Sequence, residues 1–304
     1  MRVAAVAGGA IRIEERDDPI AGEGQVLVRV RASGLNGADL AQRVGRYPAP
    51  PGAAADVPGL ECAGEVVAVG SNAFRHRPGD RVTALLGGGG HAELAVVHER
   101  LAVPVPAGIG WPEAGGFTEA FATAHDALFT QAGLQPGERL LVNGAAGGVG
   151  VAAVQLGLAA GARVTAGVRH SGERLRALGA GTTVEGVYDV ILELVGGEFL
   201  RRDFELLATG GRLAVIGLGA GGKVEVDFGR LMPLRPRIHT STMRARPLEE
   251  KALVMQRLER HVLPLLATGR VTVPVERTYP LEEADAAYDA FAAGGKFGKL
   301  VLVM

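Results

Sequence analysis

The hydrophobic pattern of the first third of the chain predicts short strands. Apolar and charged residues alternate over residues 25–35, as expected for a strand with one buried face. Residues 64–70 and 80–86 show similar short runs, and Pro78 with Gly79 marks a turn before the second of them. Glycine and proline interrupt such runs up to about Pro106, so this part of the chain is predicted to be mostly β.

From about Trp111 onward the pattern changes to alternating helices and strands. A helix is predicted over residues 113–132, and another over 247–267 leads into a β-rich tail ending with 296–304. The strands in between are apolar throughout, which is typical of a parallel sheet covered by helices on both faces. The alternating segments are 139–144, 149–161, 163–168, 171–179, 188–196, 199–207 and 211–218.

One connection in this alternation is too short. A crossover between parallel strands normally needs roughly a dozen residues or more, usually including a helix. Only Val187 separates the run from Thr182 to Gly186 from the strand that begins at Tyr188. Either this run is not a full strand or its crossover helix has been lost, so we expect a reduced sheet edge there.

Composition narrows the class of protein. The 304 residues suffice for two domains, and 32 Lys and Arg against 33 Asp and Glu give no electrostatic reason to expect a nucleic acid partner. The single cysteine, Cys62, excludes an internal disulfide and any multi-cysteine zinc site. Acidic residues occur too early in residues 1–19 for a signal peptide or membrane span, so we expect a cytoplasmic protein.

A glycine-rich turn follows the predicted strand 139–144 and opens the next helix. Gly147 would let backbone N–H groups approach a pyrophosphate, Gly150 would let the helix pack closely on the sheet, and the helix N-terminus attracts anions. Ala145 replaces the first glycine of the usual motif, and a turn that serves only packing is the alternative. The predicted phosphate-binding residues are Gly144, Ala145, Ala146, Gly147, Gly148, Val149 and Gly150.

The end of the second strand of this unit predicts which nicotinamide cofactor is bound. An NAD enzyme usually places a carboxylate there for the ribose 2′-hydroxyl, but this strand runs into Arg169, His170 and Ser171. Arg169 and Arg174 could pair with a 2′-phosphate, which a carboxylate would repel. We therefore expect NADPH; solvated surface arginines are the alternative interpretation.

These residues, with the N-terminal half, resemble the quinone oxidoreductase branch of the medium-chain dehydrogenase/reductase superfamily. Within it the chain looks most like the p53-inducible quinone reductase group, which shares the type of segment found at residues 34–52. The match covers nearly the whole chain. The segments that carry it are AAGGVG (145–150), GLNGADLAQRVGRYPAPPG (34–52), PGLECAGEVVAVG (58–70), EAFATAHDAL (119–128), YDVILELVGG (188–197) and GKFGKLVL (295–302).

The resemblance implies a fold and a set of site residues. Residues 1–112 and 268–304 would form a GroES-like, mostly β catalytic domain, and 113–267 a Rossmann domain with a doubly wound parallel sheet. NADPH would lie in the cleft between them, and a homodimer would form by edge-strand pairing of Rossmann domains. The implied residues are Asn36 and Thr123 near the nicotinamide half, Tyr47 in the substrate pocket, Phe297 and Lys299 closing the cleft, and Val195, Gly217 and Leu218 on the cofactor.

The same resemblance argues against zinc chemistry. Zinc-dependent relatives carry a cysteine where this chain has Asn36 and a His-Glu pair where it has Leu60 and Glu61. Zinc needs three or four converging ligands, and the seven histidines are scattered without ligand spacing. Each is interpreted as a surface or loop residue: His76, His91, His98, His125, His170, His239 and His261.

The sequence therefore predicts an NADPH-dependent, metal-free reductase of a small quinone or enone, including 2-alkenals. Holding donor and acceptor in contact would supply most of the rate, with the Tyr47 hydroxyl or the Asn36 amide bonded to the developing oxyanion. Two alternatives remain. One is an enoyl-thioester reductase with a basic entrance formed by Arg235, Arg237, Arg244 and Arg246. The other is a non-catalytic binding protein that keeps the NADPH fold.

Overall fold

The computed structural model describes residues 1–304 and divides them into two compact units. The first unit contains Met1–Ala122 and Met243–Met304, so both chain ends belong to it, and the second contains Thr123–Thr242. The strands are β1 Arg2–Ala7, β2 Ala10–Glu15, β3 Gln25–Gly34, β4 Glu61–Val69, β5 Arg81–Leu85, β6 Leu94–His98, β7 Ala102–Pro104, β8 Arg139–Asn143, β9 Arg163–Gly167, β10 Tyr188–Glu193, β11 Leu207–Val215, β12 Arg237–Thr240, β13 Val275–Pro280 and β14 Lys299–Val303.

The α-helices are fewer than the strands and mostly short, and several begin or end beside a proline or a glycine. They are α1 Gly37–Arg43, α2 Trp111–Gly115, α3 Thr118–His125, α4 Gly148–Ala159, α5 Gly172–Ala177, α6 Glu198–Leu206, α7 Phe228–Leu231, α8 Leu248–His261, α9 Leu263–Ala267 and α10 Ala284–Ala293. No helix is long and apolar enough to cross a membrane.

The first unit is built on a seven-stranded, mainly antiparallel sheet. Its order is β13-β14-β3-β4-β5-β7, with β6 paired to β3, and β1 and β2 form a separate hairpin. The C-terminal strand β14 pairs with β3, which joins the two chain ends in one sheet. A core that includes Leu35, Tyr279, Tyr288 and Leu302 lies under α10. The prediction of a mostly β domain is confirmed.

The second unit is built on a parallel sheet with the order β12-β11-β10-β8-β9. The chain starts in the middle at β8, goes out to β9, and returns to the other side at β10. This is the order of a Rossmann sheet, and it places the reversal of strand order between β8 and β10. Leu140, Leu141 and Ile191 are fully buried in this sheet, as expected for strands covered on both faces.

The predicted reduced sheet edge is present beyond β9. Residues 182–186 form no strand, and the only pairing in this region is an isolated parallel bridge between Thr165 and Gly181. The segment is instead held to α5, because the Arg176 guanidinium donates a 2.9 Å hydrogen bond to the Thr182 hydroxyl. Of the two explanations offered by the sequence, the first holds: residues 182–186 are not a full strand.

The units group two segments differently from the domain bounds expected from sequence. Residues 113–122 and 243–267, expected in the Rossmann domain, belong to the first unit. There α2 packs against β3 and β4, and α8 packs against β7. The helix predicted over 247–267 is split into α8 and α9, since Pro264 lacks the backbone N–H that would continue α8.

Candidate functional site

In the second unit, the predicted cofactor residues follow the carboxyl ends of neighbouring strands. The glycine-rich turn follows β8, Arg169 follows β9, Val195 follows β10, and Gly217 follows β11. Carboxyl ends of parallel strands meet at one edge of a sheet, and ligands of such sheets bind there, where the strand order reverses. The topology therefore brings these sequence-predicted residues to one edge.

The glycine-rich turn presents an uncapped helix N-terminus. Gly147 is the N-cap residue of α4 and has no side chain to accept a hydrogen bond from the first turn. The N–H groups of Gly148, Val149 and Gly150 therefore lack an intrahelical partner and carry the partial positive charge of the helix. Such an N-terminus suits a phosphate group.

Two glycines of this turn have different roles. A Cβ atom on Gly147 would meet only the Gly144 carbonyl oxygen, at 3.5 Å, so the space beside Gly147 is open. A Cβ atom on Gly150 would lie 2.3 Å from that same oxygen, which leaves no room for a side chain. Gly150 therefore lets α4 lie close to the backbone that directly follows β8, and Gly157 lets it lie close to β8 itself, where a Cβ would lie 2.7 Å from Leu140. Ala145 and Ala146 are buried under the turn.

The loop after β9 exposes positive side chains. Arg169 and His170 are exposed, and His170 Nδ1 lies 3.0 Å from the hydroxyl of Ser171, the N-cap residue of α5. Arg174 is exposed one turn into α5. The nearest carboxylate along the chain, Glu173, points from the first turn of that helix and not from the end of the strand.

The loops after β10 and β11 are fastened to each other by backbone hydrogen bonds. Ala220 N donates to Val195 O at 2.8 Å, and Gly197 N donates to Gly221 O at 2.8 Å. A Cβ atom on Gly217 would lie 2.3 Å from the carbonyl oxygen of Leu194, so only glycine fits there. Leu218 is half-exposed at the tip of this loop pair.

A buried polar cluster, not predicted from the sequence, lies at the same edge of the sheet and holds the loop after β10. Glu193, at the end of β10, accepts hydrogen bonds from Asn143 Nδ2 at 2.7 Å and from the backbone N–H groups of Val195 and Gly196. Asn143 Nδ2 also donates to Asp203 Oδ1 at 2.7 Å, whereas Asp203 Oδ2 has no partner. Burial and the adjacent Glu193 carboxylate raise the pKa of Asp203 to about 9, so Asp203 keeps its proton at neutral pH.

In the first unit, the predicted residues Asn36 and Lys299 meet at Glu61. The Lys299 ammonium donates to Glu61 Oε1 at 2.6 Å, to Asn36 Oδ1 at 2.7 Å and to the Leu35 carbonyl oxygen at 2.9 Å. Asn36 Nδ2 donates to Glu61 Oε1 at 3.0 Å and to Gly34 O at 3.2 Å. Glu61 is fully buried, and its second oxygen accepts from the Glu119 N–H at 2.9 Å.

All donors of this cluster are engaged. The ammonium of Lys299 has three N–H bonds and three acceptors, and both amide hydrogens of Asn36 have an acceptor. The side chain of Asn36 is therefore fixed, and it can give a hydrogen bond to another molecule only by releasing Gly34 O or Glu61.

Tyr47 is held by Arg244, one of the four arginines expected to form a basic entrance if the substrate were a thioester. Arg244 is 4% exposed and donates to Tyr47 O at 2.9 Å, to Gln42 Oε1 at 2.7 Å and to Gly87 O at 2.7 Å. Its guanidinium lies 5.2 Å from the centre of the Tyr47 ring. An entrance role is wrong for Arg244, because it is buried among four groups that only folding brings together.

Buried histidines correct a second expectation. His76 and His91 lie in loops as expected but are buried, whereas His125 is buried in α3, so the expectation of a surface or loop location is wrong for His125. His91 Nδ1 lies 3.0 Å from the Tyr288 hydroxyl, and burial lowers the pKa of this histidine. Cys62 is buried, and burial raises the pKa of its thiol to about 12, which keeps it unreactive. Thr123 and Phe297 are also buried.

Two family models match the chain. Residues 22–107 match alcohol dehydrogenase GroES-like domains, and residues 170–302 match zinc-binding dehydrogenases. A quinone oxidoreductase of Mus musculus is 30% identical over 309 residues, which cover 94% of this chain and 91% of the relative. This chain belongs to the medium-chain dehydrogenase/reductase superfamily. Members of this superfamily are oxidoreductases that use nicotinamide cofactors.

Two further comparisons describe how this member relates to others. Polyketide synthase GfsB of Streptomyces halstedii is 33% identical over 296 residues, which cover 93% of this chain but only 5% of the synthase. The chain thus spans a small part of the polyketide synthases that it matches. A solved alcohol dehydrogenase superfamily protein from Novosphingobium aromaticivorans has a TM-score of 0.90 at 29% identity, with 100% of both chains covered.

Asn36 and Glu61 both contact Lys299. The chain contains no group of three or more His, Cys, Asp or Glu side chains that could hold a metal ion. The sequence carried the signal for Lys299 through its motif, but no signal for its pairing with Glu61.

Proposed function

We propose that this protein is an oxidoreductase, an NADPH-dependent, metal-free reductase that transfers hydride to a quinone or another small conjugated carbonyl compound. The observation that carries the proposal is the chemistry of two adjacent strand ends. The loop after β8 offers uncapped helix N–H groups, and the loop after β9 offers Arg169 where an NAD enzyme would place a carboxylate.

The residues of the second unit fit NADPH. The open space beside Gly147 leaves room for a pyrophosphate against the N–H groups of Gly148 and Val149. Arg169 and Arg174 would pair with the 2′-phosphate, with His170 and Ser171 beside them. Val195, Gly217 and Leu218 would line the rest of the cofactor, on loops that Glu193 and the backbone bonds hold in place.

The chain's own residues would bind, orient and polarise the substrate. NADPH supplies the hydride when bound. Because the Asn36 amide is fully engaged, we assign the Tyr47 hydroxyl as the donor to the carbonyl oxygen on which negative charge develops. Asn36 would act as a positioning residue beside the nicotinamide, with Phe297 and Lys299 of the same unit near it. Water would supply the final proton.

We also propose that no zinc takes part. The Lys299 ammonium lies between Glu61 and the Asn36 amide oxygen, where the resemblance puts the cysteine and the His-Glu pair of zinc-dependent members. A divalent cation there would face a buried positive charge at close range, and it would have to displace an ion pair that neutralises Glu61. The ammonium therefore provides the charge balance that a metal gives elsewhere.

An enoyl-thioester substrate is the second candidate, favoured by the similarity to polyketide synthases over 93% of this chain. The phosphate group on the carrier of such a thioester would need exposed, positively charged side chains on the protein. Arg235 and Arg237 are exposed, whereas Arg244 is buried and cannot contribute. A comparison of kcat/KM for crotonyl thioesters, 2-alkenals and 1,4-benzoquinone, all with NADPH, decides between the candidates.

We propose further that the protein is a homodimer through β12. This strand is paired to β11 on one side only, and Ile238 on it is 48% exposed. Phe228 and Met232, which precede it, are 72% and 76% exposed. Such apolar exposure at an open strand edge suits pairing with a second copy. Light scattering should give a dimer for the wild type and a monomer for Ile238→Lys, with Leu253→Lys as control for an exposed leucine.

Titration with NADPH and NADH, followed by quenching of the Trp111 fluorescence, tests the cofactor assignment. We expect tight NADPH binding and weak NADH binding. Arg169→Ala should weaken NADPH binding by about tenfold or more and leave NADH binding unchanged. Arg163→Ala is the matched control, because Arg163 is exposed at the opposite end of β9. Equal binding of both nucleotides overturns the NADPH assignment; binding of neither favours the non-catalytic alternative.

A further inference from the structure

A cavity of about 520 Å³ lies within the first unit, and none of the proposed active-site residues lines it. Its volume falls in the range of roughly 300–1,000 Å³ that is typical of small-molecule sites. Most of its wall is apolar. The principal apolar side chains are Val57, Leu85, Leu94, Val97, Leu101 and Leu248.

One wall of the cavity is held rigid. Gly87 O accepts a 2.7 Å hydrogen bond from Arg244, and Gly89 N donates to Val57 O at 2.8 Å. A Cβ atom on Gly88 would lie 3.0 Å from Ala54 O, so the two loops that form this wall touch closely. A ligand would therefore enter a preformed space without first ordering the backbone.

A single uncompensated positive charge borders this apolar space. Lys251, in the first turn of α8, lines the cavity and is half-buried, and burial lowers the pKa of its ammonium. No hydrogen bond or ion pair holds that ammonium; Glu119 influences it only through its charge. The guanidinium of Arg16, by contrast, already donates hydrogen bonds to the carboxylates of Glu14 and Asp56.

We propose that this cavity binds a straight-chain carboxylate, with the hydrocarbon tail among the apolar walls and the carboxylate paired with Lys251. One ammonium balances one negative charge, which favours a monoanionic carboxylate over a phosphate dianion, for which arginine forks are better suited. Pairing also relieves the desolvation of Lys251. This second site goes beyond the reductase function and does not rest on it.

Isothermal titration calorimetry with decanoate, octanoate and decylamine, without nucleotide, tests the site. We expect decanoate to bind, octanoate to bind roughly tenfold more weakly because two methylene groups are lost, and decylamine to bind at least tenfold more weakly than decanoate. Lys251→Met should weaken decanoate at least tenfold, whereas Lys251→Arg should stay within about threefold of the wild type. Lys223→Met, at an exposed lysine outside the cavity, is the control.

Any of three results overturns the inference. These are absence of decanoate binding, equal binding of decanoate and decylamine, and unchanged decanoate binding in Lys251→Met. Val96→Trp, which fills the cavity from β6, should abolish binding, and retained binding in this folded variant would place the ligand elsewhere. Since no nucleotide is present, loss of reductase activity and loss of decanoate binding are separate results.

Discussion

The ammonium nitrogen of Lys299 lies 2.6 Å from Oε1 of Glu61, with the two side chains only 4% and 0% exposed. The pair joins the start of β14 to the start of β4, residues 238 positions apart in the chain. A buried ion pair of this kind is costly to break, because the remaining partner is left charged and unsolvated. The fold of the first unit and the proposed active site therefore depend on the same contact.

Lys299→Met should destabilise the protein by about 3–5 kcal/mol, since it leaves the Glu61 carboxylate buried without a counterion. Adding Glu61→Gln should recover about 1 kcal/mol or more, because the amide is neutral and can still accept from the Glu119 N–H. Urea unfolding of the two single variants and the double variant measures this coupling. Unchanged stability of Lys299→Met, relative to the exposed-site control Lys223→Met, contradicts the account.

Gly147→Ala and Gly150→Ala should separate nucleotide binding from folding. The new methyl group at residue 147 has space, so stability should hold while NADPH binding weakens by about tenfold or more, as the methyl fills the proposed phosphate site. At residue 150 it would meet the backbone at 2.3 Å and should cost about 1–3 kcal/mol of stability. Thermal midpoints and NADPH titrations of both variants test this; normal NADPH binding by Gly147→Ala contradicts it.

Asp203 should make the second unit less stable as the pH rises. Burial and Glu193 raise the pKa of Asp203 from 3.8 to about 9, so the folded chain keeps a proton that the unfolded chain releases. The resulting stability is complete below the unfolded pKa and is lost progressively as the pH rises toward about 9.

Asp203→Asn removes this titration and keeps the acceptor for Asn143. The melting temperature of the wild type should therefore fall more steeply than that of the variant between about pH 6 and pH 9. At the upper end the variant should be more stable by about 1–3 kcal/mol, the cost of a buried group without its partner. Parallel pH profiles of wild type and variant would exclude this role for Asp203.

Tyr47→Phe should lower kcat for a quinone by about tenfold or more and leave NADPH binding unchanged, because only the donor to the developing oxyanion is removed. Steady-state kinetics with a separate NADPH titration measure the two effects. Tyr279→Phe, in the core of the first unit, is the matched control. A normal kcat for Tyr47→Phe would return the donor role to Asn36.

Local pattern predicted the second unit well, because its strands are continuous apolar runs and its phosphate turn is contiguous in sequence. The reduced sheet edge beyond β9 was also predictable, since the single residue Val187 is too short to form a crossover between parallel strands. β12 was missed because Arg237–Thr240 is short and half polar, and becomes a strand only by pairing with β11. The pattern of apolar and polar residues within one segment does not show which distant strand that segment pairs with.

The roles of site residues that depend on partners distant in the chain could not be predicted from the sequence either. Lys299 was identified by its motif, but Glu61 and Lys299 are joined only by the fold. Arg244 was expected in a surface cluster because its burial depends on Gln42 and Gly87, far away in the chain. Asn143 and Glu193 did offer a signal, since each is a polar residue at the end of an otherwise apolar, buried strand.

The oxidation of NADPH and of NADH by 1,4-benzoquinone, measured by absorbance with and without a metal chelator, tests the central proposal most directly. The account predicts stoichiometric hydride transfer with NADPH, a kcat/KM at least about tenfold lower with NADH, and no effect of the chelator. Absence of NADPH oxidation, or activity that the chelator removes and zinc restores, would contradict it.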